Sequence, residues 1–163
     1  MADVEKRAEA LGLHIPPAPA PKGSYVPVVR VGDLLFTSGM GPLRSGARIH
    51  SGYVGGEVSV NQAREAAQVA VLNALGVLRE ALGTLDQVGQ VIKLTGYVRS
   101  APGFTGQTVV VDAASDLLIS LLGESGRHAR SAIGVAELPF GISVEIELVV
   151  AAAGPALPAT PTM

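Results

Sequence analysis

The stretch Ser143-Val144-Glu145-Ile146-Glu147-Leu148-Val149-Val150-Ala151 places apolar side chains on alternate positions, with two glutamates between them. Successive side chains of a strand leave opposite faces, so Val144, Ile146 and Leu148 point one way and Glu145 and Glu147 the other. One face of this strand therefore needs an apolar cover. The carboxylate face is either ordinary solvent surface or a surface shared with another subunit. It also receives residues from Val88 to Arg99, a second strand whose apolar residues are mixed across both faces.

Two helices are available as the cover. Asn61 to Leu82 aligns Ala63, Ala67, Ala70, Ala74, Leu75 and Leu78 on one stripe, with Ser59 or Asn61 as the cap and Gly83 as the stop. Gln107 to Leu122 reads as a second helix ended by Gly123. Val26 to Val31 and Leu34 to Ser38 are strand-like runs joined by Gly32-Asp33, which is hairpin chemistry. Ser131 to Ala136 is a further strand, and Leu138-Pro139-Phe140-Gly141 suits a tight turn before the last one. The order β-β-α-β-α-β-β lacks strict βαβ alternation. It predicts an α+β fold, two helices on one face of a mixed sheet.

Outside this body, Asp3 to Leu13 has the spacing of a short helix, and Pro16 to Pro21 forms a stiff extended stretch. That stretch is either a docking arm or a spacer, giving an N-terminal piece over residues 1–22. A single domain follows over 23–153, with no internal repeat, and the Pro- and Ala-rich residues 154–163 read as a disordered tail. Residues 39–56 are Gly-rich and irregular and contain Arg44, Arg48 and His50.

Composition narrows the function. Only 16% of the 163 residues are charged, against about 25% in typical soluble domains, which suggests that some apolar surface meets another subunit. A net charge of -2 with scattered cations gives no basic footprint for nucleic acid. The absence of cysteine removes disulfides and thiolate chemistry. The charged start Met1-Ala2-Asp3-Val4-Glu5-Lys6-Arg7 is unlike a secretory signal, no apolar run would span a bilayer, and the cytoplasm is the default compartment. No zinc-type spacing, P-loop or dinucleotide fingerprint is present, so neither metal nor cofactor is expected. What remains is Gly126-Arg127-His128-Ala129-Arg130-Ser131. Arg130 is either a surface arginine paired with an acid or a partly buried fork offered to a ligand carboxylate. His128 has the same two readings, structural or proton-carrying.

Several segments, taken together and in order, resemble one family. Gly23-Ser24-Tyr25-Val26, Leu34-Leu35-Phe36-Thr37-Ser38-Gly39, Ala129-Arg130-Ser131-Ala132, Leu138-Pro139 and Val144-Glu145-Ile146-Glu147 are similar to the Rid (YjgF-type) proteins, also called the endoribonuclease L-PSP family. The resemblance runs from about Gly23 to Val150. It implies a chorismate-mutase-like fold assembled as a homotrimer with clefts between subunits. It further implies a deaminase that hydrolyses 2-imino or enamine acids to 2-keto acids and ammonia. Arg130 would grip the ligand carboxylate and Glu145 would position or activate water. Tyr25, Ser38 and Gly39 would line the pocket, and backbone N–H near Ala132 would help hold the substrate. Many imine deaminases of the family carry cysteine where this chain has Ala132, and the N-terminal arm and the 39–56 loop are longer here. These departures mark a divergent branch. They leave a non-catalytic carboxylate-binding trimer as the alternative, and an endoribonuclease as a second one, disfavoured by the low basic charge and by only three Phe and three Tyr.

Overall fold

The computed structural model describes residues 4–20 and 23–154. The last strand is β7 (Val144–Ala152), and its alternation is visible in burial: Val144, Ile146, Leu148 and Val150 are buried, while Glu145, Glu147 and Val149 are part-exposed. β7 is central in a five-stranded sheet with β1 (Val28–Val31), β2 (Leu34–Thr37), β5 (Val88–Arg99) and β6 (Ala129–Val135). The order is β1-β2-β7-β5-β6. Only β5 and β6 run parallel, because the helix between them carries the chain back across the sheet. The sheet is therefore mixed, and the fold is α+β.

The cover is α2 (Val60–Leu82) and α3 (Gln107–Leu122), which pack on each other and on one face of the sheet. Ser59 caps α2 in a reciprocal box with Gln62, satisfying two backbone N–H groups. Its inner stripe is rich in alanine, including Ala63, Ala67, Ala70 and Ala74, so the helix lies close to β7 and β2. Leu94, Leu148, Leu75, Leu78 and Leu118 fill the space between helices and sheet, all essentially without solvent contact.

The ends and loops show what periodicity does not. α1 is shorter than its spacing suggests, Val4–Ala10, because Leu11 and Gly12 turn the chain. Val4 and Ala8 of α1 and Ile15 beyond it belong to the same core as the sheet and helices. A small hairpin, β3 (Leu43–Arg44) with β4 (Ala47–Arg48), occupies the irregular loop. β6 begins at Ala129, two residues before the expected Ser131, because Lys93 and Leu94 of β5 pair with Ala129 and Arg130. The expected tail over 154–163 lies outside the described residues apart from Gly154.

Among the described residues, no helix covers the far side of the sheet. On it stand Val29, Val31, Leu34 and Phe36, each at least 36% exposed, next to Val149 and Ala151 in the register. Ile133, at 41% exposure, continues the apolar character toward the β6 edge. Glu145 and Glu147 share this face with Tyr97 and Thr95 of β5.

Candidate functional site

Glu145 is the carboxylate that packing does not explain. It lies directly across from Tyr97 in the β5–β7 ladder, and no hydrogen bond or ion pair reaches its carboxyl among the described residues. Its neighbour Glu147, in contrast, accepts a hydrogen bond from Tyr97 Oη at 2.9 Å. Burial, and then the nearby charge of Glu147, push the Glu145 carboxyl above the ordinary value of 4.5. A part-buried acid whose carboxyl is raised in this way costs stability when charged and is suited to proton transfer.

The space for this carboxyl is made by Gly39. A Cβ built on residue 39 would lie 2.1 Å from Glu145 Oε1, so any larger residue would displace the acid. Gly39 is held there by its neighbour Met40, whose backbone exchanges hydrogen bonds with Ile146 at 2.8 and 3.0 Å. Ser38 on the other side donates through Oγ to the Val26 carbonyl at 2.8 Å, tying the strand end to the segment that carries Tyr25. Tyr25, Ser38, Gly39 and Glu145 thus line one cleft of about 720 Å³.

Three further features complete the cleft. Pro16, Pro17 and Pro19 of the N-terminal arm form part of its wall. The arm is fixed, because Arg79 donates to the Pro16 carbonyl at 2.9 Å and Ile15 is buried. It lies so close to α2 that a Cβ at Gly76 would come within 2.3 Å of the same carbonyl. Asn73 on α2, 2% exposed, donates from Nδ2 to the carbonyls of Gly41 and Leu43 and so pins the loop to the helix. Glu65 holds the loop's other parts, accepting from Arg44 at 2.8 Å and facing His50 Nε2 at 2.7 Å; these partners, His50 first, keep its carboxyl below the ordinary range. Arg48 also lines the cleft, its guanidinium stacked 4.1 Å from the centre of the Phe140 ring.

Arg130 is elsewhere. In the register it stands level with Leu94 and Leu148, on the helix-covered face, whereas Glu145 is on the open face. Its Nη1 donates to Asp112 Oδ1 at 2.6 Å and to Ser115 Oγ at 3.1 Å, both on α3. Ser115 Oγ lies 2.9 Å from His128 Nε2, and His128 Nδ1 lies 2.6 Å from the Gly126 carbonyl, to which it donates. That contact leaves Nε2 to accept from the serine hydroxyl in the neutral ring. Ala132 is on the same face as Arg130, level with Gly96 and packed against the core. Within one chain, then, Tyr25, Ser38, Gly39 and Glu145 come together, and Arg130 and Ala132 do not join them.

The sequence reading did not single out Asn73 or Arg48 for a role. Asn73 sits within an apolar helical run, and a lone polar residue there, facing a loop in need of donors, was the available signal. Arg48 was visible as one of the loop cations, but its partner Phe140 is far away in sequence.

Residues 5–150 match the family model described as YjgF/chorismate-mutase-like, a description that also carries the name endoribonuclease. Among known proteins, the chain is 40% identical over 148 residues to Protein TCP17 of Trypanosoma cruzi, covering 90% of this chain and 92% of that one. It is 32% identical over 138 residues to the 2-iminobutanoate/2-iminopropanoate deaminase of Dermatophagoides farinae, covering 85% and 93%. Its fold superposes on the crystal structure of Atu1372 from Agrobacterium tumefaciens, a protein of unknown function, with a TM-score of 0.87, 43% identity and coverage of 91% and 92%. With the match spanning nearly the whole fold, the chain belongs to the YjgF/chorismate-mutase-like (Rid) family.

Proposed function

We propose that the protein is a deaminase that hydrolyses 2-imino acids, and their enamine tautomers, to 2-keto acids and ammonia in the cleft beside Glu145. The observation that carries this reading is the unpaired, part-buried Glu145 carboxyl, raised above 4.5 and facing a cleft lined by Tyr25, Ser38 and Gly39. The name of the mite relative supports the same chemistry. Glu145 takes a proton from water as the water oxygen bonds to the imine carbon. It returns that proton to nitrogen, giving a carbinolamine; it then carries the carbinolamine's hydroxyl proton to nitrogen, the C–N bond breaks, and ammonia leaves as the carbonyl forms. An imine is already electrophilic, so placement of one base and one water supplies most of what is needed.

The assembly we propose is a homotrimer formed through the helix-free face. Val29, Val31, Leu34 and Phe36 give that face the apolar surface such contacts bury. In it, Arg130 of an adjacent copy approaches the cleft and offers Nε and Nη2, the parts of its fork not committed to Asp112 and Ser115, to the ligand carboxylate. Ala132 follows Arg130 in the same strand and brings its backbone toward the same ligand.

A binding-only reading has one observation in its favour: the guanidinium of Arg130 is already satisfied by Asp112 at 2.6 Å. Both readings are separated by one experiment. Imines are generated in place by an amino-acid oxidase, and keto-acid appearance is timed with and without the protein. Acceleration that disappears in Glu145→Gln supports hydrolysis, whereas tight 2-ketobutyrate binding without acceleration supports the binding protein. RNA cleavage that survives Glu145→Gln would point to a nuclease instead.

A further inference from the structure

The cleft is much larger than the smallest imino acids. A water occupies roughly 30 Å³ of liquid, so about 720 Å³ corresponds to on the order of twenty waters. A three-carbon imino acid has only six heavy atoms and would fill a small part of the cleft as one chain forms it.

The lining is mainly apolar, with proline its commonest residue. Pro16, Pro17, Pro19, Pro27, Pro42 and Pro139 all contribute, and the charged side chains among the described lining residues are Glu145 and Arg48. Proline presents a fixed apolar surface with no backbone N–H to satisfy and little rotamer freedom to lose. The arm that supplies three of these prolines is tied down by Arg79, by buried Ile15 and by the close approach at Gly76. The wall is therefore formed before any ligand arrives, which favours apolar groups that fit it.

Arg48 adds a second preference. It is paired with no acid among the described residues, and its guanidinium lies 4.1 Å from the centre of the Phe140 ring. Phe140 is 64% exposed and held with φ of 59° in the tight turn before β7, so this ring is displayed rather than buried. An aromatic group in the cleft can extend that cation–ring stack.

We infer that the cleft selects acids with a large apolar substituent, aromatic above all, seated against the proline wall and the Arg48–Phe140 pair. The inference rests on the reading of this cleft as the ligand site, and it goes beyond that reading by naming the substituent. Imines derived from phenylalanine, leucine or methionine are then preferred over those from alanine.

The test is calorimetric titration of the whole protein with pyruvate, 4-methyl-2-oxopentanoate and phenylpyruvate. Burial of a methylene-sized group is worth about fourfold in affinity, so phenylpyruvate is expected to bind at least ~30-fold tighter than pyruvate, with the branched acid between them. Phe140→Ala, at an exposed position that leaves the core intact, should weaken phenylpyruvate about tenfold and pyruvate less than about twofold. Equal affinities, binding of none of the three acids, or equal weakening of all by Phe140→Ala would overturn the inference. Turnover separates it from the deaminase reading. The ranking of affinities with no imine hydrolysis would sustain the inference and sink the deaminase, and hydrolysis of the alanine-derived imine in preference to the others would do the reverse.

Discussion

Glu145 and Arg130 stand on opposite faces of the same sheet, and their surroundings differ in kind. Arg130 meets an aspartate, a serine and, through that serine, a histidine whose other nitrogen is also bonded. Every contact there is one that a folded chain would make for its own sake. Glu145 has a glycine cleared away in front of it, a second glutamate nearby and, among the described residues, no cation paired with it. An uncompensated, part-buried carboxyl costs stability, and an arrangement that costs stability without a structural return is where function is to be sought. The comparison also explains why the arginine is the harder residue to assign from one chain: its fork is half spent on α3, and a ligand role for it depends on a second copy.

The sharpest way to break this contrast is Glu145→Gln. General acid–base groups contribute roughly 10²–10⁴ in rate, so imine hydrolysis should fall at least a hundredfold while keto-acid binding persists. A variant within threefold of wild type would place the base elsewhere. Next is Arg130→Ala, expected to lower kcat/KM by about ten- to a hundredfold if the fork holds a carboxylate, with Asp112→Asn as the control that loosens the same network. If both variants lose thermal stability and neither loses kcat/KM, Arg130 is structural.

Phe36→Asp tests how the two faces are brought together, since the side chain is 42% exposed on the helix-free face. Solution mass should drop from three copies to one, and hydrolysis should fall to the level of Arg130→Ala. A monomeric wild type would remove the shared cleft. A smaller effect is expected from Asn73→Ala, which strands the carbonyls of Gly41 and Leu43; chemical denaturation should show a loss of about 1–3 kcal/mol.

The smallest effect concerns pH and stability. Because the folded state raises the Glu145 carboxyl, its contribution is fully present below the unfolded value and is lost as pH climbs through the folded one. Glu145→Gln should therefore raise the Tm relative to wild type at about pH 7 and leave it unchanged at about pH 3.5. An equal shift at both values would mean that the variant acts through packing.

Much of the framework could be read from periodicity. The strand Val88–Arg99 and the helix Gln107–Leu122 have the bounds that alternation and spacing assign, and α2 differs by one residue at its start. These elements bury a face, and burial is what patterning records. The β3–β4 hairpin was invisible because strands of two residues have no period. The proline arm could be recognised as stiff but not placed, since its position depends on Arg79 and on the missing side chain at Gly76. Of the candidate site, Glu145 could be marked as off the core face from alternation alone. Its meeting with Gly39, more than a hundred residues earlier, came only through family likeness, because nothing local in either segment encodes the other.

The most direct test of the central claim is the pH dependence of imine hydrolysis by the wild-type protein, corrected for the rate without it. If Glu145 is the base in the cleft, kcat/KM should fall as pH drops through a single carboxyl ionisation lying above 4.5, and that ionisation should be missing from the residual rate of Glu145→Gln. A profile with no such ionisation, or one that Glu145→Gln leaves in place, would contradict the account.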